Sequence, residues 1–295
     1  MKLRIGIAAL AIAFAGPAMA SAQDDDQTDI YSVDLETGAT TLVATIADAS
    51  AGGMALAPDG TIYLLSNEDS LLTVTLDPEA TPEAETPLSA DDRVEITGLA
   101  DDEDLIGLDV RPATGDLYAL CEGGTVYVID VDTGEATAPG EAIDPALEGD
   151  SLGFDFNPTV DRIRVDVSTG QNLRLNPDTG AVGTNPDTGE PTIDGPITYA
   201  EGDDNADATP AVVGAGYTNS VDGAESTQLY VIDAEQDVLA LQDPPNDGTL
   251  NTVGALGVDA DGSSAFDITP DGDAFLTVST DDDDDDFSTH GGDDD

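Results

Sequence analysis

The sequence predicts an all-β fold, a five-bladed β-propeller of four-stranded blades. Three observations lead to this prediction. A four-strand unit recurs along the chain, turns of the Asp-Thr-Gly, Asp-Gly and Asn-Asp-Gly type separate the strands, and no segment beyond the N-terminal region has helical periodicity. Glycine and asparagine in these turns supply the positive φ that tight hairpins require.

The repeat is clearest in the second unit. An apolar run at 105–110 ends in a turn, and two further strands are predicted at 116–120 and 125–130 before a fourth, outer strand. The other complete copies begin at Gly53, Gly153 and Val212. Repeats of this length are typical of architectures in which each unit packs against its neighbours.

Each end of the chain carries half of one repeat. Residues 266–278 supply a pair of strands, and the pair that should follow stands at residues 30–46. We therefore expect residues 30–35 to pair with residues 274–278, so that the N- and C-terminal strands close the last blade. Such closure leaves no long open sheet edge.

The N-terminal residues have the features of an export signal. Lys2 and Arg4 precede an apolar run at 5–15, and residues 18–20 have the small-x-small form of a cleavage site, with cleavage after Ala22 as the alternative. We expect a signal peptide at 1–22, a propeller domain at 23–280 and a disordered acidic tail at 281–295. The predicted location is periplasmic or extracellular.

The composition is strongly acidic. The chain has 63 acidic and seven basic residues, a net charge of −56. Loss of Lys2 and Arg4 with the signal peptide would leave five arginines and no lysine against the 63 acidic groups, a net charge of −58. Because molar salt shortens the Debye length to about 3 Å, this composition indicates a halophilic protein, the alternative being an ordinary acidic secreted protein. The net negative charge excludes nucleic acid as a partner, and we expect no insertion into a membrane.

Five segments carry a family resemblance. They are LIGLDVRPATGDLYAL, GFDFNPTVDRIRV, GQNLRLNPDTG, VGAGYTNS and LQDPPNDGTLNTVG. In these segments the chain resembles the secreted bacterial proteins of the domain of unknown function 4394, from residue 105 to about 279. The resemblance implies a secreted, propeller-like module and brings no catalytic residues with it. The chain departs from the family pattern at its N-terminus, where IYSVDLETGATTLVATI and an extra repeat at 52–87 precede the matching region.

The strongest candidate site is a polar face in the third repeat. Arg162 and Arg164 stand at second-strand positions that are apolar in the other repeats. On the third strand, Asn172 and Arg174 stand at the positions that Val126 and Val128 occupy in the second repeat. Strand alternation places each pair on one face. Neighbouring blades cover this face in a propeller, so a normally apolar surface holds three of the five remaining arginines.

Two interpretations of this face are open. Because an unpaired buried guanidinium is costly, the first is a structural network with nearby carboxylates. The carboxylates considered are Asp155, Asp161 and Asp166. The second is a pocket for an anionic or polyhydroxylated ligand, since guanidinium and amide groups suit carboxylates and sugars. The ligand-binding candidates are Arg162, Arg164, Arg174, Asn172, Asn157 and Gln171. The network is the favoured interpretation because buried ion pairs are commoner than ligand sites.

A second candidate is a Ca²⁺ site in an acidic turn. Asp259 and Asp261 offer oxygen ligands in an Asp-Ala-Asp-Gly segment, but the twelve-residue calcium-loop pattern is absent, and a solvated turn is the simpler interpretation. His290, the only histidine, stands in the acidic tail. The sequence therefore offers no Ser-His-Asp arrangement in the folded region.

These observations predict a secreted, salt-adapted binding or interaction module. We expect a monomer whose ligand is a small molecule, a glycan or a protein. The alternative is a calcium-dependent propeller hydrolase or lyase acting on a sugar or lactone-like substrate. The central channel distinguishes them: filling by Met54, Leu56, Leu108 and Phe154 favours the module, and a cation beside an open pocket favours the enzyme.

Overall fold

The computed structural model describes residues 27–47, 51–66, 70–75, 85–87, 93–101, 103–184, 188 and 191–280. The predicted signal peptide at 1–22 and acidic tail at 281–295 lie outside these ranges. The described residues are strands and turns, apart from one 3₁₀ turn at Pro245–Asp247. Within the same ranges no helix has the length and apolar character needed to cross a membrane.

The strands, in chain order, are β1 (Gln27–Val33), β2 (Thr40–Ala47), β3 (Ala51–Leu56), β4 (Thr61–Ser66), β5 (Ser70–Thr75), β6 (Glu85–Pro87), β7 (Arg93–Glu95), β8 (Leu105–Val110), β9 (Leu117–Cys121), β10 (Val126–Ile129), β11 (Ala136–Thr137), β12 (Leu152–Asn157), β13 (Arg162–Val167), β14 (Asn172–Leu175), β15 (Thr198–Tyr199), β16 (Val212–Tyr217), β17 (Leu229–Asp233), β18 (Val238–Gln242), β19 (Thr249–Ala255), β20 (Ala265–Ile268) and β21 (Ala274–Thr280).

Five sheets form the five blades of a β-propeller. Blade 1 has the order β3-β4-β5-β7, blade 2 β8-β9-β10-β11 and blade 3 β12-β13-β14. Blade 4 is β16-β17-β18-β19 with the short strand β15 at its edge, and blade 5 is β20-β21-β1-β2 with β6 at its edge. Blade 3 has three strands among the described residues, and isolated bridges between Leu175 and Val182 and between Thr184 and Pro191 follow at its outer edge.

The two ends of the chain close the ring, as the repeat pattern predicted. Strand β1 pairs antiparallel with β21 over its whole length, with Ile30 opposite Thr277 and Val33 opposite Ala274. The hydroxyl groups of Thr28 and Ser279 are buried and lie 3.1 Å apart. Ser279 Oγ also lies 3.0 Å from the main-chain N of Ala51, so the closing blade is hydrogen-bonded to blade 1.

The first strands β3, β8, β12, β16 and β20 surround the axis, and each packs against the next around the ring. Small residues permit this close approach. A Cβ atom on Gly153 of β12 would lie 2.5 Å from the Cβ of Ala215 of β16. Apolar side chains fill the spaces between blades, as where Tyr118 of blade 2 meets Phe156 of blade 3 edge-to-face with ring centroids 5.1 Å apart.

Candidate functional site

The central channel is narrow where the first strands begin. The side chains of Met54, Leu108 and Phe154 are buried there, and with Phe266 and other residues of all five blades they line a cavity of about 20 Å³. One ordered water needs roughly 10–15 Å³. Leu56 is buried as well, between blades 5 and 1. Three of the four side chains expected to fill the channel therefore line its cavity, and Leu56 does not.

Three buried aspartates lie one residue further along the first strands. Asp109, Asp155 and Asp267 occupy equivalent positions in blades 2, 3 and 5, where blades 1 and 4 have Ala55 and Gly216. The aspartates are 4 %, 2 % and 4 % exposed. One carboxylate oxygen from each lies within 4.8 Å of the other two. Propeller closure thus brings three carboxylates from three blades together on the axis.

Main-chain N–H groups hold these carboxylates in a repeated arrangement. Asp109 accepts hydrogen bonds from Val110 of its own strand, at 2.6 Å, and from Phe156 of the next blade, at 2.7 Å. Asp267 does the same with Ile268, at 2.5 Å, and with Leu56 of blade 1, at 2.7 Å. Each of these side chains therefore joins two adjacent first strands.

Asp155 cannot complete the same arrangement. It accepts a hydrogen bond from the main chain of Tyr217 in the next blade. The N–H that follows it in its own strand belongs to Phe156 and is already donated to Asp109. Asp155 Oδ1 is consequently buried without a main-chain or amide donor among the described residues, and the Asp155 carboxyl lies within hydrogen-bonding reach of the Asp267 carboxyl. Six carboxylate oxygens share five main-chain donors, one from each blade.

Burial and mutual repulsion make these carboxylates unusually basic. Burial is the main factor that raises the pKa of Asp109 and of Asp155, and the charges of the neighbouring aspartates raise both pKa values further. Burial also raises the pKa of Asp267 to about 7, against the opposing effect of its two main-chain donors. Three ionised carboxylates at this spacing need a compensating positive charge.

Sequence analysis missed this cluster, although a signal was present. Asp109, Asp155 and Asp267 each stand three residues before a proline, in DVRP, DFNP and DITP, and the corresponding segment of blade 1 is ALAP. An aspartate repeated at one position of a first strand indicates a group on the propeller axis.

The predicted polar face of blade 3 is a buried network centred on Arg164, which is 1 % exposed. Its Nη1 atom lies 2.8 Å from Oδ2 of Asp194, its Nη2 atom 2.8 Å from Oδ1 of Asn246, and its Nε atom 3.3 Å from the hydroxyl of Tyr217. Nη1 also donates to Oδ1 of Asn172. Arg164 therefore links blade 3 to blade 4 and to the segment that connects them.

Asn172 belongs to the same network. Its Nδ2 atom donates to the main-chain carbonyl groups of Gly195 and Pro245, at 3.1 and 2.9 Å. Gln171 donates to the carbonyl of Ala146 at 3.0 Å and accepts from the N–H of Glu148 at 3.1 Å, which holds the segment before β12. These two amide side chains are engaged with the protein itself.

Asn157 lies at the end of β12, where its Oδ1 atom accepts hydrogen bonds from the N–H and the hydroxyl of Thr159, at 3.0 and 2.7 Å. It caps the turn between β12 and β13. The structure therefore places Asn157 in a local turn, Gln171 against the segment before β12, and Asn172 beside Arg164.

The carboxylate that pairs with the arginines is one that sequence analysis did not consider. Arg174 approaches Asp194 with both Nε and Nη2, at 2.7 and 2.8 Å. Asp194 is thus shared by Arg164 and Arg174, and its side chain is 4 % exposed. Its signal in the sequence is weak, because it lies in an irregular segment outside the strand repeat.

The three carboxylates proposed from the sequence have other surroundings. Asp161 pairs with Arg111, its Oδ2 atom 2.5 Å from Nη2, and Asp155 lies in the channel. Asp166 is fully buried, and neither of its oxygens has a hydrogen-bond donor among the described residues. Burial raises the pKa of Asp166 to about 6, although the charge of Arg164 opposes this.

A groove opens beside this network on the outer part of blade 3. It has a volume of about 460 Å³. Its lining residues are Arg162, Arg174, Asn176, Thr179, Ala181, Val182, Gly183, Thr184 and Thr192. Arg162 is exposed, and its Nη1 atom donates to the carbonyl of Asp161 at 2.7 Å. Arg162 and Arg174 border the groove, and Arg164 lies behind them.

The predicted calcium turn has an ordinary structural role. Asp259 and Asp261 are both exposed. Oδ1 of Asp261 accepts from the N–H and hydroxyl of Ser263, at 2.9 and 2.6 Å, and from the hydroxyl of Ser264 at 3.4 Å. The described residues gather their acidic cluster in the channel instead.

The fold and its centre define a five-bladed β-propeller with three buried axial carboxylates. The chain belongs to the family described as a domain of unknown function, DUF4394, whose profile matches residues 80–289. This confirms the family resemblance. No protein of curated function shows significant sequence similarity to the chain.

Several solved structures have a similar arrangement at low sequence identity. A protein of unknown function from Bacteroides caccae has 8 % identity and a TM-score of 0.40, over 74 % of this chain and 68 % of that one. Glutaminyl cyclase from Myxococcus xanthus has 11 % identity and a TM-score of 0.47, over 78 % and 90 %. Apo AztD from Citrobacter koseri has 11 % identity and a TM-score of 0.36, over 85 % and 60 %.

Proposed function

We propose that this protein is a secreted, salt-adapted binding module that holds a small acidic sugar in the groove beside Arg162 and Arg174. The observation that carries the proposal is the position of two guanidinium groups on one groove of a chain whose net charge is −56. Positive charge is rare in this protein, and the groove has two of its arginines.

The two arginines differ in how far they are neutralised. Arg174 uses Nε and Nη2 for its pair with Asp194, which fixes the guanidinium plane and leaves Nη1 outside the pair. Arg162 makes no ion pair within 4.0 Å with any residue that the structure describes. A fixed guanidinium beside an uncompensated one suits a ligand carboxylate.

The remaining lining is suited to hydroxyl groups. The groove has the amide of Asn176 and the hydroxyl groups of Thr179, Thr184 and Thr192, with apolar contact from Val182. Its volume falls in the range of about 300–1,000 Å³ that is usual for small-molecule sites. The combination favours a uronic acid over a neutral sugar or a purely apolar ligand.

High salinity would help an anion to reach this groove. At low ionic strength the overall negative charge repels anions, whereas at molar salt a Debye length of about 3 Å limits the field to nearby groups. The electrostatic force on the ligand then comes mainly from the arginines of the groove and less from the acidic surface. This supports a link between the acidic composition and the binding site.

The geometry gives less support to a hydrolase or lyase. The channel cavity lined by the residues that precede the three axial carboxylates has a volume of about 20 Å³, which is too small for a sugar or lactone. A second cavity, of about 430 Å³ and bordered by Asp104, Glu122 and Asp150, lies at the channel mouth on the far side of the apolar filling from the carboxylates. The binding module is therefore the function proposed.

Calorimetric titration with glucuronate and galacturonate in about 2 M NaCl tests the proposal, with glucose and galactose as neutral controls. We expect glucuronate and galacturonate to bind and the two neutral sugars not to bind. Arg162→Gln should weaken binding of the acids at least about tenfold, since one charge-assisted hydrogen bond is worth roughly 1.5–3 kcal/mol. Arg162→Lys should restore part of the affinity. Arg93→Gln, outside the groove, should bind like the wild type. Equal affinity in Arg162→Gln, or no binding of either acid, would refute the proposal.

A further inference from the structure

The axial cluster has one more carboxylate oxygen than the strands can satisfy. Ala55 and Gly216 carry no carboxylate, so the N–H groups of blades 1 and 4 are available to aspartates of the preceding blades. Blades 2 and 3 both carry an aspartate, and for that reason two carboxylates compete for the N–H of Phe156. The oxygen left without a main-chain donor, Asp155 Oδ1, belongs to a residue that is 2 % exposed.

The arginine nearest to this cluster in the sheet register is paired elsewhere: Arg164, opposite Asp155, pairs with Asp194. None of the ion pairs among the described residues involves Asp109, Asp155 or Asp267. The arginine of blade 2 that follows Asp109 in the chain, Arg111, turns away and pairs with Asp161 and Asp178. Compensation must therefore come from protons on the carboxylates or from a bound cation.

The donor set indicates what kind of cation would fit. All three ligands are carboxylate oxygens, which are hard donors and favour Ca²⁺, Mg²⁺ or Mn²⁺ over the softer transition metals. Mg²⁺ requires near-ideal octahedral geometry and retains several waters, whereas Ca²⁺ accepts irregular ligand sets at roughly 2.3–2.6 Å. Three carboxylates from three blades, five of whose six oxygens also accept main-chain hydrogen bonds, form an irregular ligand set that suits Ca²⁺ better.

We propose that Asp109, Asp155 and Asp267 bind a calcium ion on the propeller axis, with Asp155 Oδ1 as the ligand that no main-chain N–H occupies. The ion joins blades 2, 3 and 5, of which blades 2 and 3 alone are linked to each other at this level by an N–H to carboxylate hydrogen bond among the described residues. The site is separate from the groove of blade 3 and does not depend on the function proposed for that groove.

Access determines how the proposal is tested. Because the apolar side chains of Met54, Leu108 and Phe154 block one approach, exchange in the folded protein should be slow. The protein is therefore unfolded in denaturant and refolded at about 2 M NaCl with CaCl₂, with MgCl₂ or with a calcium chelator. Because NaCl at this concentration already screens the long-range repulsion in every sample, the added divalent cation contributes almost no further general screening.

Two measurements are made on each refolded sample, the metal content after desalting and the thermal midpoint. The calcium sample is expected to retain about one ion per chain and to unfold roughly 5–10 °C above the chelator sample, as for a ligand at about 100 times its dissociation constant. Magnesium should give a clearly smaller shift. Equal midpoints with all three additives and no retained calcium would show that protons alone neutralise the cluster, and would overturn the proposal.

Asp155→Asn is the informative variant. Its amide can donate a hydrogen bond to Asp267 and removes one negative charge, so it should fold without calcium and lose both the retained ion and the midpoint shift. Asp259→Asn, in the exposed turn, should retain both. A full calcium shift in Asp155→Asn would contradict the proposal, and if that variant fails to fold, the wild-type metal content and the calcium–magnesium difference decide.

Discussion

Arg164 and Asp194 form an ion pair of 2.8 Å in which both side chains are almost completely buried, 2 % and 4 % exposed. The guanidinium also binds Tyr217, Asn246 and Asn172, so its removal leaves several polar groups without a donor. We predict that Arg164→Ala lowers the free energy of unfolding by about 3–5 kcal/mol. Chemical denaturation of the variant and of the wild type measures this difference in the free energy of unfolding.

Arg174 provides the control for this prediction. It pairs with the same carboxylate, but its side chain is 35 % exposed, so solvent weakens this ion pair by screening it. Arg174→Ala should therefore cost much less stability than Arg164→Ala. Equal effects of the two substitutions would mean that burial does not determine the strength of this network.

Asp166 should make the protein less stable above about pH 6. Its pKa is raised from 3.8 to about 6 in the folded state, chiefly by burial. The folded state thus binds the proton more tightly than the unfolded state, so the ionised side chain costs stability above pH 6, and the cost disappears as the pH falls towards 4. Asp166→Asn should raise the free energy of unfolding at pH 8 by on the order of 2–3 kcal/mol.

The gain of Asp166→Asn should vanish near pH 4, where the wild-type carboxyl is protonated. The new amide can also donate to Gln242, whose Oε1 atom has no donor among the described residues and whose side chain contacts Asp166. Asp271→Asn, an exposed substitution, serves as the control for loss of one negative charge. A variant that is no more stable than the wild type at pH 8 would contradict this account.

Deletion of residues 28–46 should abolish cooperative unfolding. It removes all but one residue of β1 and of β2, and thus exposes the edge of β21 and the buried contact between Ser279 and Ala51. Thermal denaturation followed by circular dichroism checks this. Deletion of residues 281–295, which supply no strand to the described sheets, should leave the midpoint nearly unchanged. A cooperative transition at the wild-type temperature in the first deletion would disprove closure by the terminal strands.

The thermal midpoint should rise steadily from millimolar to molar NaCl. With a net charge of −56 the folded chain repels itself, and salt screens this repulsion over distances above the Debye length. KCl should have a similar effect, because the mechanism depends on ionic strength. A midpoint independent of salt would show that the acidic surface is not under electrostatic stress.

The ring and its closure could be predicted from the sequence because their signals are local and repeated. Turn residues and alternating strands recur in every blade, and the half-repeats at 30–46 and 266–278 have the same pattern. The polar face of blade 3 was also predictable, since Arg162, Arg164 and Arg174 break an apolar pattern. These predictions required comparison of repeats and no knowledge of distances.

The partners in both clusters could not be predicted in this way. Asp194 reaches the arginines from an irregular segment, and its position depends on how blades 3 and 4 pack. Asp109, Asp155 and Asp267 belong to different repeats and meet only because the ring closes. Their mutual distance is a property of the whole propeller, which no single strand encodes.

The pairing of β1 with β21 also sets the order in which the molecule can be completed. Thr28 and Ser279, which touch in the closing blade, are separated by 251 residues. The first strand to leave the ribosome must therefore wait for the last one, and contacts so distant in sequence form slowly. Until synthesis ends, the growing chain lacks its final blade and stays unfinished. The closed ring can therefore form only after β21 has been synthesised.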